Sequence, residues 1–423
     1  MYGGLRYSGL LAVFLIWSIA IASIAGVLFR PRGWPEAVWA CLGALLLAAC
    51  RLISISTAAH AVAKGADVYL FLTGMMLLAD LARREGVFDW LASQAVLASK
   101  GSSARLFGLV YSVGVLVTIF LSNDATAVVL TPAVYAAVKR ARAEARPHLF
   151  ACAFVANAAS FVLPISNPAN LVVYGKSLPP LLPWLRVFAL PSLMSIGVTF
   201  LVLRYDFRKS LRFAVDRESA NIVLSDSGRR AAWGIAFTGA VLITASALGL
   251  DLGLPTCLAA MAAVLIATRL NVRAVREIVR EVSWSVLPLV AGLFVLVDAL
   301  NGAGASRQLG IALRYLAALP LWAGTLAASF GIAALSNVMN NLPSGMLAGT
   351  ALQSLHVAPQ LRDAVLVGVD LGPNLSVTGS LATVLWLIAL RREGVKVAGW
   401  TFLKSGIMAM VPALLFSTLA LLV

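Results

Sequence analysis

Apolar segments long enough to form membrane-spanning helices occupy most of this 423-residue chain. Hydrophobic residues make up 61% of the sequence and charged residues only 12%, whereas soluble domains carry about 25% charged residues. Inside lipid, a backbone must satisfy its hydrogen bonds internally, which only helices and closed barrels achieve. Because the apolar segments have the length of spanning helices, the sequence predicts an all-α integral membrane protein.

The predicted topology has about 10 transmembrane helices and two re-entrant hairpins. The spans are predicted at 10–29, 36–55, 67–82, 148–174, 184–203, 231–250, 254–269, 283–300, 361–390 and 402–423. Two longer segments, 104–138 and 320–356, are predicted to be hairpins whose tips stop inside the membrane. Length alone also allows two full spans in each of them.

A polar cluster interrupts each hairpin segment and is predicted to form its tip. The first cluster is Ser122-Asn123-Asp124, and the second runs from Ser336-Asn337 to Asn340-Asn341; each begins with Leu-Ser-Asn, so the two are predicted to correspond. Unpaired polar groups at membrane depth cost several kcal/mol, so they occur where protein or a water-filled cavity supplies partners. One such cluster in each half is typical of internally duplicated transporters.

Two predicted spans, 148–174 and 361–390, contain helix breakers near the middle. Pro164 and Pro168 bracket Ser166-Asn167 in the first, and Gly372-Pro373-Asn374 precedes Thr378-Gly379-Ser380 in the second. Proline removes a backbone donor and glycine permits unusual dihedral angles, so both spans are predicted to be broken helices. Half-helix N-termini carry positive dipole ends. We therefore expect two tips and two breaks to meet at one central site.

The basic residues predict the direction of each segment. The net charge is +15, and with both hairpins re-entrant most of the 33 Lys and Arg residues lie on one side, which the positive-inside rule makes cytoplasmic. This pattern requires no nucleic acid as a partner. Residues 1–205 and 231–423 then cross the membrane in opposite directions as inverted repeats, joined by a cytoplasmic linker at 206–230. Few basic residues, Arg6 among them, fall on the opposite side.

Two acidic residues lie at the predicted site, Asp124 at the first tip and Asp370 before the second break. A carboxyl group at membrane depth can exchange a proton, as proton-coupled carriers require. No cofactor or metal site is predicted, because the four cysteines are scattered singly. An enzyme is not predicted, since no HExxH or Ser/His constellation occurs. For any single buried Ser or Asn, a hydrogen bond between helices is the alternative interpretation.

Four motifs resemble the arsenite permease family, the arsenical pump membrane proteins of the ion transporter superfamily. They are LSNDATAVVLTP at 121–132, LPISNPANLVV at 163–173, LSNVMNNLPSGMLAG at 335–349 and GVDLGPNLSVTGSLATVLWL at 368–387. The resemblance implies export of trivalent arsenite and antimonite across the cell inner (cytoplasmic) membrane, driven by protons and in some members by a cytosolic arsenite-stimulated ATPase. Arsenite at neutral pH is uncharged As(OH)3, which hydroxyl and amide groups suit.

By this resemblance the motif residues acquire expected roles. The expected substrate-binding residues are Ser122, Asn123, Ser166, Asn167, Ser336, Asn337, Asn340, Asn341, Thr378, Gly379 and Ser380. Asp124 and Asp370 are expected to carry protons. Two alternatives stay open: a sodium/proton antiporter of the same superfamily, and a channel subunit energised by a separate cytosolic ATPase that docks on the basic linker.

Overall fold

The computed structural model describes residues 9–216 and 222–423, which are helical almost throughout. The first half contains α1 (Gly9–Phe29), α2 (Glu36–Ala49), α3 (Ile55–Lys64), α4 (Ala66–Arg84), α5 (Val87–Ala98), α6 (Ser103–Leu121), α7 (Asn123–Ala125), α8 (Thr131–Arg140), α9 (Ala145–Ala158), α10 (Pro168–Tyr174) and α11 (Leu181–Asp206). The second half contains α12 (Asp226–Ala247), α13 (Gly253–Ala267), α14 (Val272–Glu281), α15 (Val286–Gly302), α16 (Ala305–Ala317), α17 (Leu321–Met339), α18 (Asn341–Gln353), α19 (Pro359–Leu371), α20 (Leu381–Arg392) and α21 (Gly399–Ala420).

Among the described residues, six helices are long and apolar enough to cross a membrane, or up to eight if two bent pairs each count as one span. The bent pairs are α3–α4, with 50° between the helices, and α14–α15, with 42°. The other predicted spans are helical but shorter or interrupted: α2 has 14 residues and α13 has 15, and 148–174 and 361–390 are broken. The all-α membrane architecture is confirmed, with fewer uninterrupted spans than predicted.

The two halves contain the same succession of elements. Each has two helices, a bent pair, a short helix, a helical hairpin, a broken helix and a long final helix. The contacts between the halves follow the same equivalence. Helix α4 packs against α13, and their equivalents α15 and α2 also pack against each other, as do the two final helices α11 and α21. A two-fold relation between halves produces this exchange. Their opposite direction across the membrane stays a prediction.

Glycines at equivalent positions allow the two exchanged crossings to be close. A Cβ atom on Gly74 of α4 would lie 2.7 Å from the Thr256 carbonyl oxygen of α13. A Cβ atom on Gly292 of α15 would lie 2.7 Å from the Ala40 carbonyl carbon of α2. Small residues at helix crossings let backbones approach within the membrane, where packing drives association.

The described part of the linker lies against the base of the first hairpin. The Val215 N–H donates to the Gly101 carbonyl oxygen at 3.0 Å, and the Asp216 N–H donates to the Ala141 carbonyl oxygen at 2.9 Å. Gly101 precedes α6 and Ala141 follows α8. The second half starts with α12 at Asp226, ahead of the predicted 231. Residues 217–221 of the predicted linker, and Arg6, lie outside the described residues.

Candidate functional site

Paired hydroxyl groups show where each hairpin turns back. The Thr118 and Thr126 hydroxyl oxygens lie 2.8 Å apart, and those of Ser336 and Ser344 lie 2.7 Å apart. Eight residues along a continuous helix would separate each pair by about 12 Å. The chain therefore reverses between the members of each pair, and all four residues are fully buried.

Ser122 and Asn340 form the two turns. Their φ/ψ angles are 97°/159° and 76°/154°, a region that is occupied almost only by glycine and is strained for other residues. The predicted correspondence of the two Leu-Ser-Asn sequences is therefore wrong, because Ser122 is equivalent to Asn340. Ser336 and Asn337 lie one helical turn before the second tip, inside α17. The two identical tripeptides suggested the wrong alignment, because the position of the turn depends on backbone conformation and not on the types of side chain.

In the first broken helix, asparagine side chains satisfy the freed backbone groups. α9 ends at Ala158, a short turn covers Pro164–Ser166, and α10 begins at Pro168. The Asn170 amide donates to the Ser160 carbonyl oxygen at 2.9 Å and lies 3.3 Å from two further carbonyl oxygens of the break. The Asn167 Oδ1 accepts the Ala169 N–H at 3.0 Å and caps α10. Buried backbone groups released by a break require such partners.

The second broken helix is bonded to the second hairpin tip. The Asn337 Nδ2 donates to the Gly372 carbonyl oxygen at 2.9 Å, and its Oδ1 accepts the Ser376 hydroxyl at 2.6 Å. The Asn341 N–H donates to the Gly379 carbonyl oxygen at 2.9 Å. Asn337 therefore acts as a bridge between tip and break.

Several hydrogen bonds join the broken helices of the two halves, among them two that involve the last turns of α9 and α19. The Asn157 Nδ2 donates to the Asn374 Oδ1 at 3.0 Å, and the Asn167 Nδ2 donates to the Asp370 Oδ1 at 2.9 Å. Asn157 and Asp370 are each the last residue but one of their helix, α9 and α19. Each of these equivalent residues therefore reaches into the break of the other half.

Asp370 has a fully buried carboxyl group with few partners. Its Oδ1 accepts one hydrogen bond, from Asn167. The Ser160 hydroxyl lies beside the carboxyl group but donates to the Asn157 carbonyl oxygen at 2.8 Å. Oδ2 is left without a donor among the described residues. No Lys or Arg within 9–216 or 222–423 forms an ion pair with Asp370.

At the first tip, the side chains of Asn123 and Asp124 have oxygen atoms without a hydrogen-bond donor among the described residues. The Asp124 side chain is half-buried and makes no hydrogen bond with any residue that the structure describes. Asn123 is 3% exposed, and its Oδ1 lacks a donor within the described ranges. A five-residue π-helical turn at Thr126–Leu130 follows, just before Pro132. Such turns often occur at functional sites.

The remaining predicted residues bond to backbone carbonyl oxygens, cap a helix or pair with another hydroxyl group. The Ser166 hydroxyl donates to the Ile119 carbonyl oxygen of α6 at 3.2 Å, and the Thr378 hydroxyl donates to the Asn337 carbonyl oxygen at 3.3 Å. Ser380 caps α20 through the Thr383 N–H. Ser336 is buried against Ser344 and braces its hairpin.

Sequence reasoning assigned no role in this network to Asn157, Ser160, Asn170 and Thr383, and it noted Asn374 only as part of the second break. A usable signal was present. The same number of residues separates Asn157 from Asp370, Asn167 from Ser380 and Asn170 from Thr383. Alignment of the two broken helices on this spacing would have identified Asn157, Asn170 and Thr383.

A cavity of about 1460 Å³ opens beside the network, on the predicted outer side. One wall comes from α2, the turn that follows it, α3 and α15, and includes Arg51, His60 and Lys64. The other wall comes from α10 and α18, and includes Val172 and Thr350. Since α10 begins at the first break and α18 at the second tip, the cavity lies next to the elements that form the site.

Comparisons with known proteins agree with this architecture. The family model described as citrate transporter matches residues 12–369. An arsenical pump membrane protein of Escherichia coli is 27% identical over 97% of this chain and 98% of its own length. A putative arsenical pump membrane protein of Bacillus subtilis is 23% identical over 92% and 95%. These similarities confirm the resemblance that the four motifs predicted.

One solved structure shows the fold alone. The YdaH transporter of Alcanivorax borkumensis, whose crystal structure revealed an unusual topology, superimposes with a TM-score of 0.57 at 15% identity, covering 91% of this chain and 96% of that one.

Proposed function

The chain belongs to the citrate transporter family, and from this premise we propose that it exports trivalent arsenite and antimonite across the cytoplasmic membrane in exchange for protons. Relatives similar along nearly the whole chain are named arsenical pump membrane proteins. The observation that carries the proposal is the meeting of two helix breaks at a buried carboxyl group, Asp370, among amide and hydroxyl groups.

The charge of the site favours a neutral substrate. The tip and break segments 118–126, 157–170, 336–344 and 370–383 contain no Lys or Arg. Citrate, which gives the family its name, is a polyanion and requires cationic partners when it is taken out of water. As(OH)3 and Sb(OH)3 offer three hydroxyl groups, each a donor and an acceptor, for which amide and hydroxyl side chains are suitable partners.

Hydrogen bonding, rather than thiol coordination, is the proposed mode of binding. Cys152 is the cysteine nearest in sequence to a break, and it is fully buried within α9. Weak, reversible bonds suit a carrier, which must release its substrate on the far side. The proposed contacts come from Asn123 and Ser122 of the first tip and from Asn340, Thr378 and Ser380 of the second half.

Proton exchange is assigned to Asp370, with Asp124 as a second carrier. An unpaired buried charge is costly, so binding of a proton to Asp370 changes the energy of the network that joins the halves. Asn167 connects Asp370 to α10, because its Nδ2 donates to the carboxyl group and its Oδ1 accepts from the first turn of α10. Protonation is thereby coupled to the position of a half-helix, as alternating access requires.

Transport by everted membrane vesicles tests the proposal. Energised vesicles should accumulate arsenite, and a protonophore should abolish that accumulation, whereas vesicles without the protein should accumulate none. Citrate in excess should not compete. Accumulation that needs sodium instead of a pH gradient would indicate the antiporter of the same superfamily. Accumulation only with ATP and a cytosolic partner would indicate a channel subunit.

A further inference from the structure

The charges of helix α14 are separated on its surface. Arg273, Arg276 and Arg280 fall within about 60° of arc, and Glu277 and Glu281 occupy the adjacent sector, at about 100° per residue. All five are exposed, as are Val272 and Val279 on the apolar side. Only Ile278 of α14 is buried.

The acidic sector is bound within the protein. The Arg83 Nη2 of α4 donates to the Glu281 Oε2 at 2.6 Å, and Arg84 pairs with Glu277. Arg83 also pairs with Asp80 at 3.1 Å. The orientation of α14 around its axis is therefore fixed by two acid–base pairs with α4.

The basic sector is left free by the same orientation. Arg273, Arg276 and Arg280 form no ion pair with any residue in the described ranges. Val272 is 78% exposed and Val279 is 37% exposed, next to this sector. The Trp284 indole, 39% exposed, donates to the Val279 carbonyl oxygen at 2.7 Å. Exposed apolar side chains, an interfacial tryptophan and adjacent arginines are typical of a helix lying at the lipid headgroups.

We propose that Arg273, Arg276 and Arg280 of α14 form a binding site for the phosphate groups of anionic lipids in the cytoplasmic leaflet. Guanidinium groups bind phosphate oxygens in bidentate geometry, and their aliphatic stems cover the adjacent apolar surface. Since α14 is bent by 42° against α15, whose Asp298 and Asn301 line the outer cavity, the bound lipid contacts one arm of a bent pair whose other arm reaches that cavity.

The equivalent arm of the first half shows that the basic sector is not a requirement of the fold. Helix α3 has the sequence ISTAAHAVAK and carries Lys64 as its one Lys or Arg. That lysine is already paired with Asp298 at 2.8 Å. The basic sector therefore occurs only on the arm that faces the predicted cytoplasmic side, where the leaflet is rich in anionic lipid.

Lipid binding by the purified full chain tests the proposal. Native mass spectrometry would count the phosphatidylglycerol and phosphatidylcholine molecules retained in a lipid titration. We expect the wild type to prefer phosphatidylglycerol, and the triple variant Arg273→Gln/Arg276→Gln/Arg280→Gln to bind it about a hundredfold more weakly. A triple variant of equal charge change, Arg391→Gln/Arg392→Gln/Lys396→Gln, should keep the preference.

Several results would overturn the proposal. Equal phosphatidylglycerol binding by the wild type and the α14 variant would do so, as would an equal loss in the control variant. Displacement of the lipid by inorganic phosphate at similar concentration would indicate a site for free anions. Binding of a cytosolic protein in place of lipid would indicate a protein docking surface. A fold check by circular dichroism, with unchanged Tm, keeps these outcomes interpretable because the α4 pairs are untouched.

Discussion

The two halves share one arrangement but differ in how firmly the hairpin tip is held. In the second half, Asn337 and Asn341 bond the tip region to the break through three hydrogen bonds of 2.6 to 2.9 Å. In the first half, the hydroxyl of Ser166 bonds Ile119 at 3.2 Å, and Ile119 occupies the position equivalent to Asn337. The two hairpins therefore have the same backbone arrangement, but fewer hydrogen bonds join the first tip to its break. We expect the first tip to be displaced at a lower cost in free energy.

The halves also differ in where their acids lie. Asp370 is equivalent to Asn157, and Asp124 is equivalent to Leu342, counted from the two turns and the two helix ends. Each half therefore has a carboxyl group at a position where the other half is neutral. If the two halves were fully equivalent, both members of each pair would carry a carboxyl group, whereas here one member of each pair does.

The largest expected effect comes from removing the difference between Asp370 and Asn157. The change Asp370→Asn should reduce proton-driven arsenite accumulation to the level of vesicles without the protein, because the proposed proton carrier is lost while the Asn167 contact can be kept by an amide oxygen. Everted vesicles with a fixed pH gradient provide the measurement.

The double variant Asn157→Asp/Asp370→Asn tests whether the two equivalent positions can exchange roles. It moves the carboxyl group to the equivalent position, where the Asn374 Oδ1 and the Thr383 hydroxyl accept from Asn157 and can accept from a protonated carboxyl group, and it should restore measurable pH-dependent accumulation. A folded double variant as inactive as Asp370→Asn would show that the two positions are not functionally equivalent. Full accumulation by Asp370→Asn alone would remove that residue from proton transfer.

A smaller loss is expected at the first tip. The change Asp124→Asn should lower the transport rate several-fold and flatten its pH dependence, since Asp124 is half-buried and unbonded to any described residue. The reciprocal change Leu342→Asp, at the equivalent place in the second tip, should not replace it, because that tip is held by its break. An unchanged pH profile for Asp124→Asn would exclude it as a carrier.

The sequence predicted the parts of this comparison that depend on composition and helix breakers. The lengths of the apolar segments predicted the membrane helices. Pro164, Pro168 and Gly372-Pro373 predicted the breaks, because proline and glycine change the backbone at their own positions. It failed where backbone conformation decides, as at Asn340. Asn157 was missed because a single amide in an apolar helix gives no signal until its partner Asn374, more than 200 residues away, is brought next to it.

The unequal restraint of the tips should be measurable as stability. Asn337→Ala removes the bond to the Gly372 carbonyl oxygen and the bond from the Ser376 hydroxyl, which keeps only Thr378 as a partner among the described residues, so it should cost about 1–3 kcal/mol of unfolding free energy. Ser166→Ala in the first half removes the single bond to the hairpin, at the Ile119 carbonyl oxygen, together with the bond from the Leu163 N–H inside the break, both of 3.2 Å, and should cost about 1–2 kcal/mol. Thermal unfolding of the purified variants in one detergent measures both. Equal losses would show that the two tips are held alike.

The smallest expected effect is a gain in stability at the turns. Glycine adopts the φ/ψ angles of Ser122 and Asn340 without strain, so Ser122→Gly should stabilise the fold by about 1 kcal/mol. Asn340→Gly should gain less, because the Asn340 Oδ1 also accepts the Leu342 N–H at 3.3 Å and caps α18. Ser122→Gly should slow arsenite transport in spite of its higher Tm, since the hydroxyl group is a proposed substrate contact. A variant that is both more stable and fully active would show that the strain, and the Ser122 side chain, are dispensable for transport.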